Sequence, residues 1–414
     1  TYWASVGASG NITSGQLATP VVFSGNIASG QIGTNQLASG VGGGGITLLS
    51  GSIISGYIGD NAVNSGNIAS GQVGRFQIND FNVGIQTKTR GGTQGYFAGG
   101  LDNAVFVTRA DILLYSNDTS SSQTTANLSQ GRGGLGGVSE GIVKGYFAGG
   151  TTGAVVATAD RLMYETNTRF SNASANLSQA RSYLAGCSGE GTKGYFAGGS
   201  TDNFAIGYVT TSDKITYSSN STAAQTSANL SQARNYLAGI SEGATKGYFA
   251  GGTTGSAVTT ANKITYSTDT TAAQTSANLI QATFILAGCS GEGTKGYFAG
   301  GDTGNYSNLA NKLIYSTDTT VSQTTANLSQ ARNGLAGISE GLIKGYFAGG
   351  STASAVSTAD KLTYSNDTTA AQTTANLSLA RYYLAAAGQE FSSVFGNNSI
   401  NSGNIGSVSY THLT

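Results

Sequence analysis

Hydrophobic residues follow two different rhythms along this chain. Between residues 1 and 80 an aliphatic residue stands at every fifth position over long stretches, as at Ile53, Ile58, Val63 and Ile68. From residue 81 to residue 390, short apolar segments recur about every 50 residues, separated by glycine and by Ser/Thr-rich loops. The two rhythms predict two kinds of structure.

The five-residue rhythm fits neither regular secondary structure. A step of five residues spreads the aliphatic side chains around a straight helix and alternates them between the faces of a straight strand. A chain that bends at every repeat avoids this, and glycine supplies the bend in segments such as Ser-Gly-Asn-Ile-Ala, residues 24–28. We therefore expect either a single-chain β-solenoid or several chains wound around one axis.

This stretch resembles the five-residue repeats of bacteriophage tail-fibre proteins, in which three identical chains usually share the axis. The same pattern returns in residues 398–408. The resemblance implies a fibre shaft over residues 1–80 and 391–414. It also implies a homotrimer that contacts other virion tail proteins.

One hexapeptide, Gly-Tyr-Phe-Ala-Gly-Gly, occurs six times without substitution. The copies begin at Gly95, Gly145, Gly194, Gly247, Gly296 and Gly345. Their spacings are 50, 49, 53, 49 and 49 residues. Such a period is typical of a repeat architecture built from one supersecondary unit.

The unit over residues 181–234 shows what each repeat contains. Residues 183–187 predict a short apolar first strand, and residues 193–197 predict a second strand that ends at a Gly-Gly pair. The alternation over residues 213–218 predicts a third strand. A Ser/Thr/Asn loop then leads to a predicted fourth strand that ends in residues 228–234.

Four short antiparallel strands in each of six units predict an all-β fold, a six-bladed β-propeller over residues 81–390. The units resemble kelch repeats in the Gly-Gly pair, in a tyrosine about 15 residues later and in an arginine before the first strand. The tyrosines are Tyr115, Tyr164, Tyr217, Tyr266, Tyr315 and Tyr364, and the arginines are Arg132, Arg181, Arg234, Arg332 and Arg381. Thr283 replaces the arginine once, and the kelch tryptophan is missing, since the only Trp is Trp3.

The last apolar segment predicts how the propeller closes. Residues 381–386 repeat a first strand, yet no Gly-Tyr-Phe-Ala-Gly-Gly follows them. We expect this C-terminal strand to complete the first blade. Residues 83–88 are the competing candidate for that place.

Composition limits the classes of function. The chain has 20 basic and 20 acidic residues, so no net charge attracts nucleic acid. No apolar run approaches the length of a membrane span, so membrane insertion is not expected. The first residue is Thr1 rather than Met, which is typical of a processed or partial polypeptide.

The two cysteines occupy the same position of two repeats. Cys187 and Cys289 stand where the other repeats have Val138, Ile240, Ile338 and Ala387. A position that accepts all of these side chains is typical of a small buried apolar site. We favour that interpretation over a disulfide or a metal pair.

A glutamate recurs in the turn after each first strand: Glu140, Glu190, Glu242, Glu292, Glu340 and Glu390. A lysine follows five of them, at Lys144, Lys193, Lys246, Lys295 and Lys344. The glutamates are either a circle of acids that holds a cation on the axis, or one half of a Glu–Lys pair across each hairpin. The repetition favours the pair, because a catalytic site needs different groups in different roles.

Other catalytic chemistry is scarce. His412 is the only histidine, so no histidine triad or histidine-ligated metal is expected in the repeats. We predict no catalytic residue, no metal and no cofactor. An acid pair of the glycosidase type, converging from two loops, stays open.

The loops between second and third strands vary most. The third unit has Asp202, Asn203, Phe204 and Tyr208 there, whereas other units use small residues such as those of residues 151–154. The fifth unit has Asn305 and Tyr306, and the first has Phe106. Aromatic rings beside amides suit the binding of sugars, so these seven residues form the predicted ligand site. The alternative, which we favour, is that Phe204 and Tyr208 pack against a neighbouring blade or another chain of the fibre.

These observations favour a subunit of a phage tail fibre or similar extracellular virion appendage. Its propeller would present the head that binds a host receptor, in particular a surface polysaccharide, with weak contacts strengthened by multivalency. One alternative is a propeller glycan hydrolase or lyase that acts on that polysaccharide. Another is a purely structural spacer.

Overall fold

A computed structural model describes residues 92–189, 191–203, 206–243, 245–291, 293–341 and 343–389. These residues form six four-stranded antiparallel sheets. Each sheet is one blade of a β-propeller, as predicted. The two predicted shaft segments lie outside the described residues.

Blades 1 to 6 are numbered by the order of their hexapeptides. The first strands, which line the axis, are β24 (Ala385–Gly388), β4 (Gly136–Glu140), β8 (Ala185–Gly189), β12 (Ala238–Ser241), β16 (Ala287–Gly291) and β20 (Ala336–Ser339). The second strands are β1 (Gln94–Ala98), β5 (Lys144–Ala148), β9 (Lys193–Ala197), β13 (Lys246–Ala250), β17 (Lys295–Ala299) and β21 (Lys344–Ala348). The third strands are β2 (Ala110–Leu114), β6 (Ala159–Met163), β10 (Ser212–Thr216), β14 (Ala261–Thr265), β18 (Ala310–Ile314) and β22 (Ala359–Thr363). The outer fourth strands are β3 (Thr119–Ser122), β7 (Thr168–Ser171), β11 (Ser221–Ala224), β15 (Thr270–Ala273), β19 (Thr319–Ser322) and β23 (Thr368–Ala371).

The C-terminal strand closes the propeller. β24 pairs antiparallel with β1, with Ala387 opposite Tyr96 and Ala385 opposite Ala98. The six first strands then follow one another around the axis, with β24 between β20 and β4. The prediction that residues 381–386 supply the missing strand of blade 1 is therefore confirmed.

The hexapeptide is constant because both faces of the second strand are buried against neighbouring blades. Successive side chains of a strand point to opposite faces. Tyr96 of blade 1 packs toward blade 2, where it shares a core with Phe147 and Tyr164. Phe97 packs the other way, in the core shared with Tyr346 of blade 6. Each junction between blades repeats this arrangement, so six small cores hold the propeller together.

A tyrosine stack crosses every junction. Tyr96 stacks on Tyr164 with ring centroids 5.8 Å apart and planes within 4° of parallel. The closing junction has the same contact, between Tyr346 of blade 6 and Tyr115 of blade 1 at 5.9 Å. These are the hexapeptide tyrosine of one blade and the predicted kelch-type tyrosine of the next. Both tyrosines of the repeat therefore serve blade-to-blade packing.

Each of the three glycines of the hexapeptide is required for its own structural reason. A Cβ at Gly95 would lie 2.3 Å from the hydroxyl oxygen of Tyr115. Gly99 and Gly100 have φ of +70° and +107°, values that only glycine adopts readily. The Gly-Gly pair therefore ends the second strand by turning the chain into the following loop.

An arginine before the first strand is buried completely in five blades. Arg181 is an example: its Nη1 lies 2.6 Å from Oδ2 of Asp213, and its Nη2 donates to the carbonyl of Phe196 at 2.9 Å. Equivalent ion pairs join Arg132 to Asp160, Arg332 to Asp360 and Arg381 to Asp111. In blade 4 the buried Arg234 is matched with Asn262 instead, and blade 5 has Thr283 and Asn311.

The fourth strand was predicted too late in the sequence. In blade 3 it is Ser221–Ala224, and the residues that follow form a 3-10 turn, Thr226–Ala228, rather than a strand. The first strand also begins two residues later than predicted, at Ala185. Within the described part of the chain, no helix is long and apolar enough to cross a bilayer.

Candidate functional site

The propeller has two faces of different character. The loop face carries the loops between second and third strands and the segments that lead into the first strands. Isolated bridges such as Ser182 to Ser200 and Ser200 to Tyr208 join these segments to the loops. The hairpin face carries the short turns between first and second strands and between third and fourth strands.

The hairpin face is dominated by charged contacts between blades. The lysine that precedes the hexapeptide reaches the turn between third and fourth strands of the next blade. Lys193 contacts Asp269 at 3.0 Å, and Lys214 contacts the other oxygen of that carboxylate at 2.7 Å. The hydroxyl of Tyr195 donates to Asp269 at 2.5 Å. The same cluster surrounds Asp318, Asp367 and Asp118.

These contacts correct the predicted Glu–Lys pair. Only Lys144 contacts its hairpin glutamate, Glu140, at 2.9 Å among the described residues. Glu242 instead accepts from the backbone of Thr245 at 3.2 Å, and Glu340 accepts from the backbone of Ile343 at 3.3 Å. Glu190, Glu292 and Glu390 lie outside the described residues. The local spacing was misleading because the partner of each lysine is a residue of the neighbouring blade.

The clustered aspartates are strongly acidic. Partial burial alone would raise the pKa of Asp269, but hydrogen bonds from Lys214, Tyr195 and Lys193 lower it to about 2. The pKa values of Asp118, Asp318 and Asp367 are likewise about 2. No group of three or more His, Cys, Asp or Glu side chains among the described residues is arranged to hold a metal ion. The aspartate clusters hold neighbouring blades together.

The predicted ligand residues all belong to loops of the loop face, on blades 1, 3 and 5. Phe204 lies outside the described residues. Tyr208 forms a backbone bridge with Ser200, and Tyr306 forms one with Asp302. Tyr306 is 41% exposed. Phe106 is half-buried, and its ring lies near Gly133.

The amides and acids of these loops mainly shape the loops. Asp202 accepts from the backbone of Ile206 at 3.0 Å. Asn203 accepts from the backbone of Val155 at 2.9 Å and so connects blades 2 and 3. Asn305 is an exposed residue beside Tyr306. The predicted residues therefore share one face, but they divide into three loops rather than one pocket.

Alternate blades differ on this face. Blades 1, 3 and 5 each expose a large apolar side chain in the loop, namely Val105 at 59%, Ile206 at 66% and Tyr306 at 41%. The bridging position holds Phe106, Tyr208 and Tyr306 in these blades, but Val155, Ala257 and Ala355 in blades 2, 4 and 6. Large and small loops thus alternate around the axis.

The mouth of the axis on the loop face carries a second aromatic group, which sequence reasoning missed. The residue before the leucine that precedes each first strand has a left-handed conformation in all six blades. These residues are Gly134, Tyr183, Tyr236, Ile285, Gly334 and Tyr383, with φ between +56° and +65°. Each donates its backbone N–H to the carbonyl of the corresponding residue in the preceding blade. Tyr183 donates to Gly134 at 2.6 Å, for example, and Gly134 closes the circle by donating to Tyr383 at 2.8 Å. The result is a closed circle of six hydrogen bonds around the axis.

Three tyrosines of this circle, Tyr183, Tyr236 and Tyr383, form what we call the axial tyrosine cluster. Tyr183 stacks on Tyr236 at 4.2 Å between centroids, and its edge meets Tyr383 at 5.3 Å. Phe284 contacts Tyr236 at 6.2 Å, and Tyr382 contacts Tyr383 at 4.7 Å. All five rings are half-buried, so part of each is open to solvent.

The cluster is uncharged. Burial and the neighbouring hydroxyls of Tyr383 and Tyr183 raise the pKa of Tyr236, and burial raises the pKa of Tyr383 to about 12. The nearest carboxylate of the loop face, Asp302, accepts from the backbone of Gly304 at 2.8 Å and from Asn333 at 3.3 Å. The rings of the cluster are thus uncharged, and the carboxylate of Asp302 acts on the hydroxyl of Tyr383.

The axis itself is too narrow for an organic ligand. At the circle lies a cavity of about 70 Å³, which is lined by the six residues of the circle and by Leu135, Leu184 and their counterparts. A second cavity of about 60 Å³ lies between the first strands and is lined by Ser139, Cys187, Cys289 and equivalent residues. Ligand pockets usually measure about 300 Å³ or more. Cys187 and Cys289 are buried among these strands, which confirms the predicted small apolar position.

A scan of protein-family models found none that matches this chain, and a search of curated proteins found no similar one. The fold therefore defines the class of protein: a six-bladed β-propeller with four-stranded blades. The site on its loop face is the basis for the functional proposal.

Proposed function

We propose that this chain is a subunit of a phage tail fibre or a similar surface appendage, in which a kelch-like propeller presents a head that binds a glycan receptor. The observation that carries the proposal is the contrast between the two faces. The core and the hairpin-face clusters repeat from blade to blade, while aromatic and amide residues change on the loop face.

The ends of the described propeller support this arrangement. Thr93 donates its backbone N–H and its hydroxyl to Oε1 of Gln389, at 2.8 Å and 2.6 Å. Both residues lie on the hairpin face, at the start of β1 and directly after β24. The chain therefore enters and leaves the propeller at adjacent points of one face.

The proposed mechanism is multivalent attachment. A homotrimeric shaft would carry three propellers, and several weak contacts made together bind far more tightly than one alone. The acids of the loop face, Asp102, Asp202 and Asp302, each accept a hydrogen bond from their own loop. This arrangement favours binding over cleavage of the glycan.

The direct test is attachment of the purified full chain to a panel of bacterial isolates, together with its molar mass in solution. We expect attachment to some isolates, a mass three times that of one chain, and no shortening of isolated surface polysaccharide. A monomer that attaches to no isolate would contradict the proposal. Shortened polysaccharide would replace it with the hydrolase or lyase.

A further inference from the structure

The six blades provide an internal comparison at the circle of left-handed residues. Gly134 and Gly334 hold this backbone conformation in blades 2 and 6, and the same hydrogen bonds form there as in the other blades. Glycine therefore satisfies the fold at this position, and it does so without strain. Tyr183, Tyr236 and Tyr383 hold the same conformation at an energetic cost that glycine avoids.

Residues held in such sparsely populated backbone conformations cluster at ligand-binding and other functional sites. The two glycines also make room for the tyrosines: a Cβ at Gly134 would lie 2.6 Å from the ring of Tyr183, and one at Gly334 would lie 3.4 Å from that of Tyr383. Glycine and tyrosine positions thus complement one another across neighbouring blades. The glycines and the tyrosines of the circle together form the aromatic surface.

We infer that the axial tyrosine cluster is a stacking site for a neutral pyranose, and that it forms the centre of the receptor-binding face. This inference rests on the proposed function and names the ligand class and the residues of that face. The partly open rings offer flat apolar surface to the C–H face of a sugar.

The geometry favours a shallow sugar site over an enclosed one. The cavity at the circle measures about 70 Å³, so a pyranose cannot enter the axis. It must lie across the rings of the cluster. Because the rings of the cluster are uncharged and the charge of Asp302 acts on Tyr383, the cluster favours a neutral sugar over an acidic one.

The test uses the full chain and a variant in which Tyr183, Tyr236 and Tyr383 are all replaced by glycine, the residue of blades 2 and 6. Ile285→Gly is the matched control, because it relieves the same backbone strain in the same circle and leaves the tyrosines in place. Thermal melting and near-ultraviolet circular dichroism establish that both variants fold. Single Tyr183→Gly and Tyr383→Gly variants serve if the triple variant melts early.

The probes are methyl β-D-galactopyranoside, methyl β-D-glucopyranoside and methyl β-D-mannopyranoside, followed by saturation-transfer NMR from the tyrosine ring protons. We expect transfer to the C–H protons of at least one sugar. We also expect binding to weaken at least about tenfold in the tyrosine variants and to stay unchanged in Ile285→Gly. No transfer from any probe, or transfer that survives the tyrosine variants, would overturn the inference.

Attachment to cells separates this inference from the proposed function. If the wild-type chain attaches and the tyrosine variants attach equally well, the inference fails and the proposed function stands. If the wild type attaches to none of the isolates, the proposed function fails. Attachment that is lost after protease treatment of the cells but survives periodate oxidation would show a protein receptor and overturn the sugar site.

Discussion

Arg181 and Asp213 form an ion pair of 2.6 Å inside blade 3, where both side chains are completely shielded from solvent. In blade 4 the same two buried positions hold Arg234 and Asn262. Burial lowers the pKa of Arg234 to about 10, and its Nε and Nη1 atoms have no hydrogen-bond partner among the described residues. A buried cation without a carboxylate is costly.

We predict that Asn262→Asp raises the free energy of unfolding by about 1.5 to 3 kcal/mol, because a charged acceptor is supplied to Arg234. The reverse change, Asp213→Asn, should lower it by about 3 to 5 kcal/mol. Urea unfolding of the full chain measures both. A destabilised Asn262→Asp variant would show that blade 4 cannot hold the ion pair of its neighbours.

The aspartate clusters of the hairpin face predict that the free energy of unfolding decreases at acidic pH. The folded-state pKa of Asp118, Asp269, Asp318 and Asp367 is about 2, below the ordinary value of about 3.9. Folding therefore weakens their affinity for protons, so the contribution is full above about pH 4 and is lost as the pH falls towards 2.

Unfolding measured between pH 7 and pH 2 tests this prediction with Asp269→Asn as the variant. The variant should be less stable than the wild type at pH 7, and the difference should shrink towards pH 2. Asn167 and Asn220 take the place of the aspartate in two junctions, so the fold tolerates the amide. A difference that is independent of pH would exclude an ionic role for Asp269.

Because β24 closes the propeller, we predict that thermal stability depends sharply on where the chain is truncated. A chain that stops after Leu379 loses Arg381 and the first strand of blade 1, and it exposes the edge of β1. We expect its melting temperature to fall by well over 10 °C, or the propeller to fail to fold. A chain that stops after Gln389 is the control and should melt like the full chain. Equal melting of the two truncated chains would contradict closure by β24.

The loop aromatics predict a loss of attachment without a loss of stability. Tyr306→Ala, and Phe204→Ala together with Tyr208→Ala, should weaken attachment to cells because they remove aromatic rings of the proposed ligand site, among them the exposed ring of Tyr306. The exposed Phe170, on the outer strand of blade 2, provides the control Phe170→Ala. Attachment that is unchanged in all three variants would remove these loops from the binding face.

The sequence was most informative where one residue type satisfies one buried environment. The hexapeptide predicted the second strand in every blade because its tyrosine, phenylalanine and glycines each meet a fixed neighbour. The fourth strand was misplaced because it is the outer edge of the blade. Its residues, such as those of Ser221–Ala224, are largely open to solvent and show no apolar alternation.

Contacts between blades could not be predicted from residues that are close together in the sequence. Lys193 binds a residue 76 positions away, although Glu190 stands much closer in sequence. The axial tyrosine cluster was missed because its members come from three repeats. One signal was available: the position before the conserved leucine holds glycine in two repeats, tyrosine in three and isoleucine in one.

The most direct test of the central claim is to block one face of the propeller at a time. Ser354→Cys places a thiol on the loop face and Ser316→Cys places one on the hairpin face, both at exposed positions, while Cys187 and Cys289 stay buried. Each variant is biotinylated, loaded with streptavidin and added to cells that the wild-type chain attaches to. We predict that streptavidin at Ser354→Cys abolishes attachment and that streptavidin at Ser316→Cys leaves it intact. The opposite result would show that the loop face is not the receptor-binding face.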